Sequence, residues 1–291
     1  MTADVTTVAA ARGRVAYAEY GDPEGAPLVL FHGTPGSRLF GAVFDDAARE
    51  RNVRLLVPDR PGYGRSAPRP DRTLADTAAF VEPVLDDAGV DRARVAGFSG
   101  GGPHALALAA TAPERVTGVE LVSTAAPPSL HDRPTAQRLL HGLAAWTPPL
   151  LSALLRGQAW LAARGSPSLV AGQYTDDPAA LDDATGRAVR EEFLEAFADG
   201  TTGAVTELAL LGDEWDLPLD AVDAPVRLWH GDDDENAPLE GARALARQVD
   251  GEVTVLDGAD HLTALLDARD RLLDAAADPA SREAVAAKGG D

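Results

Sequence analysis

A serine flanked by glycines, Gly97-Phe98-Ser99-Gly100-Gly101, constrains this chain more than any other stretch. It comes after the apolar Arg94-Val95-Ala96 and precedes a helix-like run at residues 105–112. The form is G-x-S-x-G, a strand that turns abruptly into a helix with a serine at the corner. Such a turn brings two backbones together, so the positions two before and two after the serine leave little room for a Cβ. The serine is then expected in strained backbone geometry, with its hydroxyl clear of the sheet. Pro103 suits the first helical turn, whose N–H groups have no internal partner. Taken alone, the pentapeptide also fits an ordinary Gly/Ser loop. The two are separated by whether an acid and a base stand downstream in the right order.

Around the corner the pattern alternates between strand and helix. Residues 5–11 and 14–20 read as a hairpin around Arg12-Gly13, and residues 27–31 (PLVLF) as a strand buried on both faces. Helical patterns at 38–51 and 73–88 alternate with strands at 53–57, 94–98 and 116–123. Such alternation predicts an α/β protein with a parallel sheet between helical layers. After Thr124 the pattern changes: residues 125–219 hold helical periodicity and prolines but no buried strand. Alternation resumes with a strand at 225–230, a helix at 239–249, a strand at 252–256 and a helix at 262–277. Residues 1–124 and 220–277 are therefore expected to form one core, 125–219 a helical cap inserted into it, and 278–291 a frayed polar tail.

The 291 residues suffice for such a core, and 45% hydrophobic with 25% charged residues is an ordinary globular balance. The formal net charge of -20 predicts neither a nucleic-acid nor an anionic-membrane partner, since both would be repelled. Lys288 is the only lysine among 26 basic residues, which fits either a salt-adapted surface or the Arg and Ala bias of a GC-rich genome. With no cysteine there is no disulfide or thiolate–metal site. The first fifteen residues lack a basic segment ahead of an apolar one, and no run of about eighteen apolar residues occurs. A cytoplasmic location is the expectation.

A serine hydroxyl needs a base to take its proton, and the base needs an acid to orient it. On such a sheet the order along the chain is serine, acid, histidine. Of six histidines only His261 comes after both the corner and an acid at a strand end, so it is the candidate base. His32 and His230 read as structural residues at strand ends, His104 as packed on the helix after the serine, and His131 and His141 fall in the insertion. The acid is expected in the loop 231–238, which reads GDDDENAP. Chemistry alone does not separate Asp232, Asp233 and Asp234. By spacing Asp234 is chosen, three residues after Gly231 and four before Pro238. A calcium loop is disfavoured because its sixth position would be Ala237 and its twelfth Arg243. Two amides are expected to face the oxyanion that develops on a substrate carbonyl. One is that of Gly100, and the other that of Thr34 in the loop His32-Gly33-Thr34-Pro35-Gly36-Ser37, where Pro35 has no N–H.

Through HGTPG at 32–36, DRPGYGRS at 59–66, GFSGG at 97–101, the acid loop and His261, the whole chain resembles the α/β-hydrolase superfamily. The resemblance implies a mostly parallel eight-stranded sheet with a helical cap after the sixth strand. It carries over Ser99 as nucleophile, Asp234 as acid, His261 as base and the Thr34 and Gly100 amides as the oxyanion hole. It also implies that Asp59, Arg60, Arg65 and Ser66 buttress the loops of the site. Haloalkane dehalogenases and epoxide hydrolases of the family have aspartate at the nucleophile position, so Ser99 points to acyl transfer, with no metal or organic cofactor required.

The leading expectation is a hydrolase of small-to-medium carboxylic esters, acting on a small-molecule acyl substrate. Its pocket would draw on Leu139, Leu140, Leu143, Trp146, Leu150, Leu151, Leu154, Leu155, Trp160 and Leu161, most of them packing the cap on the core. A second expectation is an aminopeptidase resembling proline iminopeptidases, with Glu191, Glu192, Glu195 or Glu207 holding a substrate ammonium. HGTPG stands where those enzymes usually read HGGPG, which lowers that reading. A third is a non-catalytic small-molecule receptor, which an intact triad disfavours. Oligomeric state is not readable.

Overall fold

The computed structural model describes residues 4–278. Eight strands form one sheet: β1 (Val5–Ala10), β2 (Gly13–Gly21), β3 (Ala26–Phe31), β4 (Val53–Pro58), β5 (Ala93–Phe98), β6 (Val116–Val122), β7 (Val226–Gly231) and β8 (Glu252–Leu256). Their order across the sheet is β1-β2-β4-β3-β5-β6-β7-β8. β1 and β2 pair antiparallel, as does β2 with β4, and every pair from β4 to β8 is parallel. The expected mixed α/β architecture is therefore observed.

Strands β3, β4 and β5 are buried on both faces, which is why they read as unbroken apolar runs. Successive side chains point to opposite layers. Val29 and Phe31 join Leu56 and Val95 against α2 (Ala78–Asp87), α3 (Gly102–Thr111) and α9 (Leu239–Gln248). Leu28 and Leu30 join Leu55 and Val57 against α1 (Asp45–Glu50) and α10 (His261–Ala277). The helix expected at 38–51 is a 3-10 turn, Arg38–Val43, followed by α1. That at 73–88 is a 3-10 turn, Leu74–Thr77, leading into α2, with a capping box between Thr73 and Asp76.

Between β6 and β7 the regular structure is helical: α4 (Thr135–Trp146), α5 (Pro148–Arg164), α6 (Pro167–Ala171), α7 (Asp183–Glu195) and α8 (Thr202–Gly212), besides two short 3-10 turns. This segment packs on the core through a backbone crossing at Gly62 and Gly203, where a Cβ on Gly203 would lie 2.6 Å from the Gly62 carbonyl oxygen. Of the tail expected from 278 onward, residues 279–291 lie outside the described residues.

From β3 the chain crosses to β4 on one side and from β5 to β6 on the other, so connections leave in opposite directions at the C-terminal ends of β3 and β5. A crevice opens at such a reversal, and it is where ligands bind on open parallel sheets. Phe31 and Phe98 end the two strands there, and Ser99 comes directly after. The corner is as crowded as its glycines imply. A Cβ on Gly97 would lie 2.5 Å from the Gly101 carbonyl oxygen, and one on Gly101 would lie 2.6 Å from the His32 carbonyl oxygen. Gly97→Ala should therefore lower stability by about 1–3 kcal/mol through overpacking. Urea unfolding checks this, and an unchanged midpoint would contradict the close approach.

Candidate active site

Ser99 has φ of 53°, in the left-handed region that residues with a Cβ seldom occupy. The strain is held from both sides. Phe98 belongs to a fully paired buried strand, and the Ser99 carbonyl accepts the Ala125 amide at 3.1 Å, beyond the end of β6. Ser99 is only half-buried and lines a cavity of about 340 Å³, shared with Thr34, Gly100 and His261.

His261 is the first residue of α10, whose N-terminus is capped by Asp260: its carboxylate accepts the Thr263 amide at 2.9 Å while the Thr263 hydroxyl accepts the Asp260 amide at 2.8 Å. The His261 ring lies between Phe98 and Tyr174, with centroids 4.8 and 6.4 Å away. Its Nδ1 is 2.8 Å from Asp234 Oδ2 and 3.0 Å from Oδ1. Of the three adjacent aspartates, Asp232 and Asp233 are exposed, and Asp234 alone is buried and faces the ring. Asp234 Oδ1 also accepts the amides of Asn236 and Ala237, at 2.9 and 2.8 Å. Burial by itself would raise this carboxyl. The His261 ring and the amide donors outweigh it and hold Asp234 below the usual carboxylate value. His230 is buried behind it, where burial lowers its pKa, and its Nε2 is 2.6 Å from the Ala237 carbonyl oxygen. A hydroxyl in the cavity wall, an imidazole in the same wall and a buried carboxylate behind that imidazole are the parts that general-base activation of an alcohol requires.

Residues 26–268 match the family described as alpha/beta hydrolase fold, which is most of the chain. The chain belongs to that family. Its likeness to curated relatives is local. A stretch of 111 residues is 40% identical to the dihydrolipoyllysine-residue acetyltransferase component of an acetoin cleaving system from Cupriavidus necator, covering 38% of this chain and 29% of that protein. A stretch of 115 residues is 34% identical to a proline iminopeptidase from Neisseria meningitidis, covering 37% of this chain and 36% of the enzyme. The chain thus spans only about a third of the length of these two relatives. Among solved structures, a thermophilic esterase from Thermogutta terrifontis superposes with a TM-score of 0.69 at 21% identity, over 97% of this chain and all of that one. At that identity the likeness concerns the fold.

In this α/β hydrolase a buried ionic cluster stands behind the loop at 32–37. Arg60 donates to the carbonyls of His32 and Gly33 and, at 3.0 Å, to Thr34 Oγ1. Its guanidinium also lies 2.7 Å from Glu207 Oε1 on α8, while Arg72 pairs with Oε2 of the same carboxylate. The Thr34 hydroxyl lies 3.3 Å from Glu207 Oε1, and His104 Nε2 lies 3.2 Å from it. Burial would raise Glu207, but Arg60, His104 and Arg72 together take it well below the usual carboxylate value. His104 is lowered to about 4, mainly by burial, and is therefore neutral at pH 7. Asp59 supports the same loop from the other side: it accepts the amides of Arg38 and Arg65, at 2.6 and 2.9 Å, and pairs with the Arg38 guanidinium at 2.8 Å. The buttressing expected of Asp59 and Arg60 is thus seen in their contacts. The convergence on Glu207 is not legible locally. The only signal is a lone carboxylate in an otherwise uncharged α8, where burial demands a partner.

The glutamates expected to face a substrate ammonium do not line the cavity. Glu207 is enclosed by its cations, and Glu195 pairs with Arg38 and Arg65 at 2.8 and 3.1 Å. Glu192 is buried beside Gly36, where a Cβ would collide with Glu192 Oε1. Of the ten apolar residues expected around a pocket, Leu140 and Leu155 line the cavity. Leu139, Trp146, Leu150, Leu154, Trp160 and Leu161 are instead exposed, a correction to the packing expected of them. Amides reach the cavity in their place: Gln137, Gln158, Gln173 and Asn236, with Arg133, His131 and His141.

Two of the buried carboxylates, Glu207 and Glu192, have measurable consequences. Glu207→Gln leaves Arg60 and Arg72 buried without a counter-charge and should destabilise the protein by about 3–5 kcal/mol, measured by urea unfolding. A loss below about 1 kcal/mol would mean that the cluster is well solvated. Glu192 is pushed up to about 8 by burial, from an ordinary 4.5. Between those values the folded state binds more protons than the unfolded one, so stability falls as pH rises. Glu192→Gln should remove that fall, its melting temperature gaining on the native protein from about pH 5 to about pH 9. Parallel curves would contradict a protonated Glu192.

Proposed function

We propose that the chain is a serine hydrolase that cleaves small-to-medium carboxylic esters through an acyl-enzyme, with Ser99 as nucleophile, His261 as base and Asp234 as the orienting acid. The observation that carries this reading is Ser99 at φ 53° in the wall of the same cavity as His261, whose Nδ1 is held by Asp234. With Nδ1–H donated to the carboxylate, Nε2 is the basic nitrogen.

In the first half, His261 Nε2 takes the proton of Ser99 as Oγ attacks the ester carbonyl carbon. The amides of Thr34 and Gly100 receive the oxyanion, a role supported by their closeness, since a Cβ on Gly100 would collide with Thr34 Oγ1. Collapse breaks the bond to the alkoxy group, which leaves with the proton from His261. In the second half, His261 takes a proton from water as its oxygen attacks the acyl carbon. The acid departs and Ser99 recovers its proton. Asp234, already held low, stabilises the imidazolium in both halves. A cavity of about 340 Å³ supports substrates of small-to-medium size.

The likeness to a proline iminopeptidase supports an amide-cleaving alternative, but none of Glu191, Glu192, Glu195 and Glu207 lines the cavity, whose lining carboxylate is the exposed Glu235 of the acid loop. The ester reading is therefore preferred. Hydrolysis of p-nitrophenyl butyrate should exceed that of proline p-nitroanilide, and Ser99→Ala should lower ester turnover by about 10⁴-fold or more with the fold intact by circular dichroism. Turnover retained in Ser99→Ala would remove the assignment, and a preference for the anilide would reverse the choice of substrate.

A further inference from the structure

The polar side chains in the wall of the Ser99 cavity turn their N–H groups towards the protein's own backbone. Gln137 on α4 donates from Nε2 to the Asn236 carbonyl, and Asn236 donates from Nδ2 to the Gln173 carbonyl at 2.8 Å. His141, four residues after Gln137 and on the same side of α4, has Nδ1 2.8 Å from the Leu208 carbonyl oxygen. A backbone carbonyl only accepts, so each contact fixes which atom of the side chain is the donor. These three residues all line the cavity, and Gln137 Oε1, Asn236 Oδ1 and His141 Nε2 are left accessible with no partner among the described residues. Each –NH2 keeps one further hydrogen against two lone pairs on each oxygen, so unspent acceptors outnumber donors. Gln158 of α5 pairs with Gln173, which in either orientation leaves one oxygen and one –NH2.

Charge decides which donor such a wall takes. Arg133 lines the same cavity and forms no ion pair among the described residues, its guanidinium donating to the carbonyls of Gly212 and Leu211 at 3.2 and 2.5 Å. The acids that act on it, Glu214 and Asp213, are both exposed. Burial, and after it the charge of Arg133, lowers His131 and takes His141 to about 4, so both rings are neutral at pH 7. A substrate ammonium beside these rings would be repelled by Arg133, and a carboxylate would meet the lone pairs of Gln137, Asn236 and His141. Glu235, the carboxylate in the cavity wall, is exposed and therefore screened. An uncharged hydroxyl meets neither obstacle. It gives its hydrogen to an acceptor and can receive a remaining amide hydrogen in return.

We propose that this wall is a subsite for substrate hydroxyl groups, with Gln137, His141 and Asn236 as its acceptors. Granted the ester hydrolase reading, the substrate is then a hydroxyl-bearing ester rather than a plain alkyl one. Leu140, Leu155, Leu208 and Leu211 supply the apolar part of the same cavity and suit its carbon chain. The Asn236 amide is also bonded to Asp234 at 2.9 Å, which sets the subsite beside the proposed base. Because subsite and serine share one cavity of about 340 Å³, the hydroxyl belongs to a small ester and lies close to the reacting carbonyl.

Calorimetric titration of the full-length protein carrying Ser99→Ala tests the subsite by binding, apart from turnover. Glyceryl monobutyrate should bind about tenfold or more tighter than propyl butyrate, or ethyl 3-hydroxybutyrate than ethyl butyrate. The pair that responds tells whether the hydroxyl lies on the alcohol or the acyl side. In the same background Gln137→Met and His141→Phe should each cut that preference by about threefold or more, with the fold intact by circular dichroism. Equal affinities within both pairs, or a preference that neither substitution changes, overturn the subsite and leave the ester reading intact. Tighter binding of butyrylcholine or of monoethyl succinate than of every uncharged ester also overturns it, giving the wall to Glu235 or to Arg133. Turnover is read separately in the Ser99 protein. Hydroxyl-selective binding with no ester hydrolysis there would keep the subsite and remove the reaction.

Discussion

One carboxylate joins the two parts of this molecule. Glu207 comes from the helical segment between β6 and β7, and its charge is the counter-charge for Arg60 and Arg72 of the sheet-bearing part. Because Arg60 also holds the His32 and Gly33 carbonyls and Thr34 Oγ1, the position of the loop beside Ser99 depends on where α8 lies. A buried ion pair of this kind adds little net stability but tolerates little displacement, since moving one partner leaves a charge stranded. Glu192 on α7 and Glu195 make further contacts to the same region. The inserted helices therefore shape the loop that is proposed to receive the oxyanion, besides walling the cavity.

The parts of the site that were legible in the sequence are those whose physics is local. Gly97 and Gly101 announce a close backbone approach within five residues of chain, and Ser99 adopts the positive φ that such a corner demands. His261 could be chosen because order along the chain eliminates the other histidines. The acid needed more. Three adjacent aspartates are chemically equivalent in sequence, and spacing alone favoured Asp234; only the folded loop buries it against His261 and leaves Asp232 and Asp233 exposed.

The partner of each residue across the insertion was beyond the reach of sequence. Helix α5 has leucines on two faces, and periodicity reports that both stripes exist without saying which one meets the protein. Packing is the expectation for most of them, and the outward stripe corrects it. Glu207 posed the reverse problem. A glutamate on a helix reads as solvated or as a ligand for an ammonium, whereas it is enclosed by two arginines that lie more than a hundred residues earlier. Long-range charge pairing leaves no mark at either end of the chain that forms it.

The central claim is that a covalent acyl-Ser99 forms, and direct observation of that bond tests it most closely. Acid quenching during turnover of p-nitrophenyl butyrate, with peptide mapping afterwards, should place a butyryl group on Ser99 that disappears once substrate is exhausted. Continued turnover with the Ser99 peptide unmodified, or a butyryl group on another residue that turns over at the catalytic rate, would contradict the account.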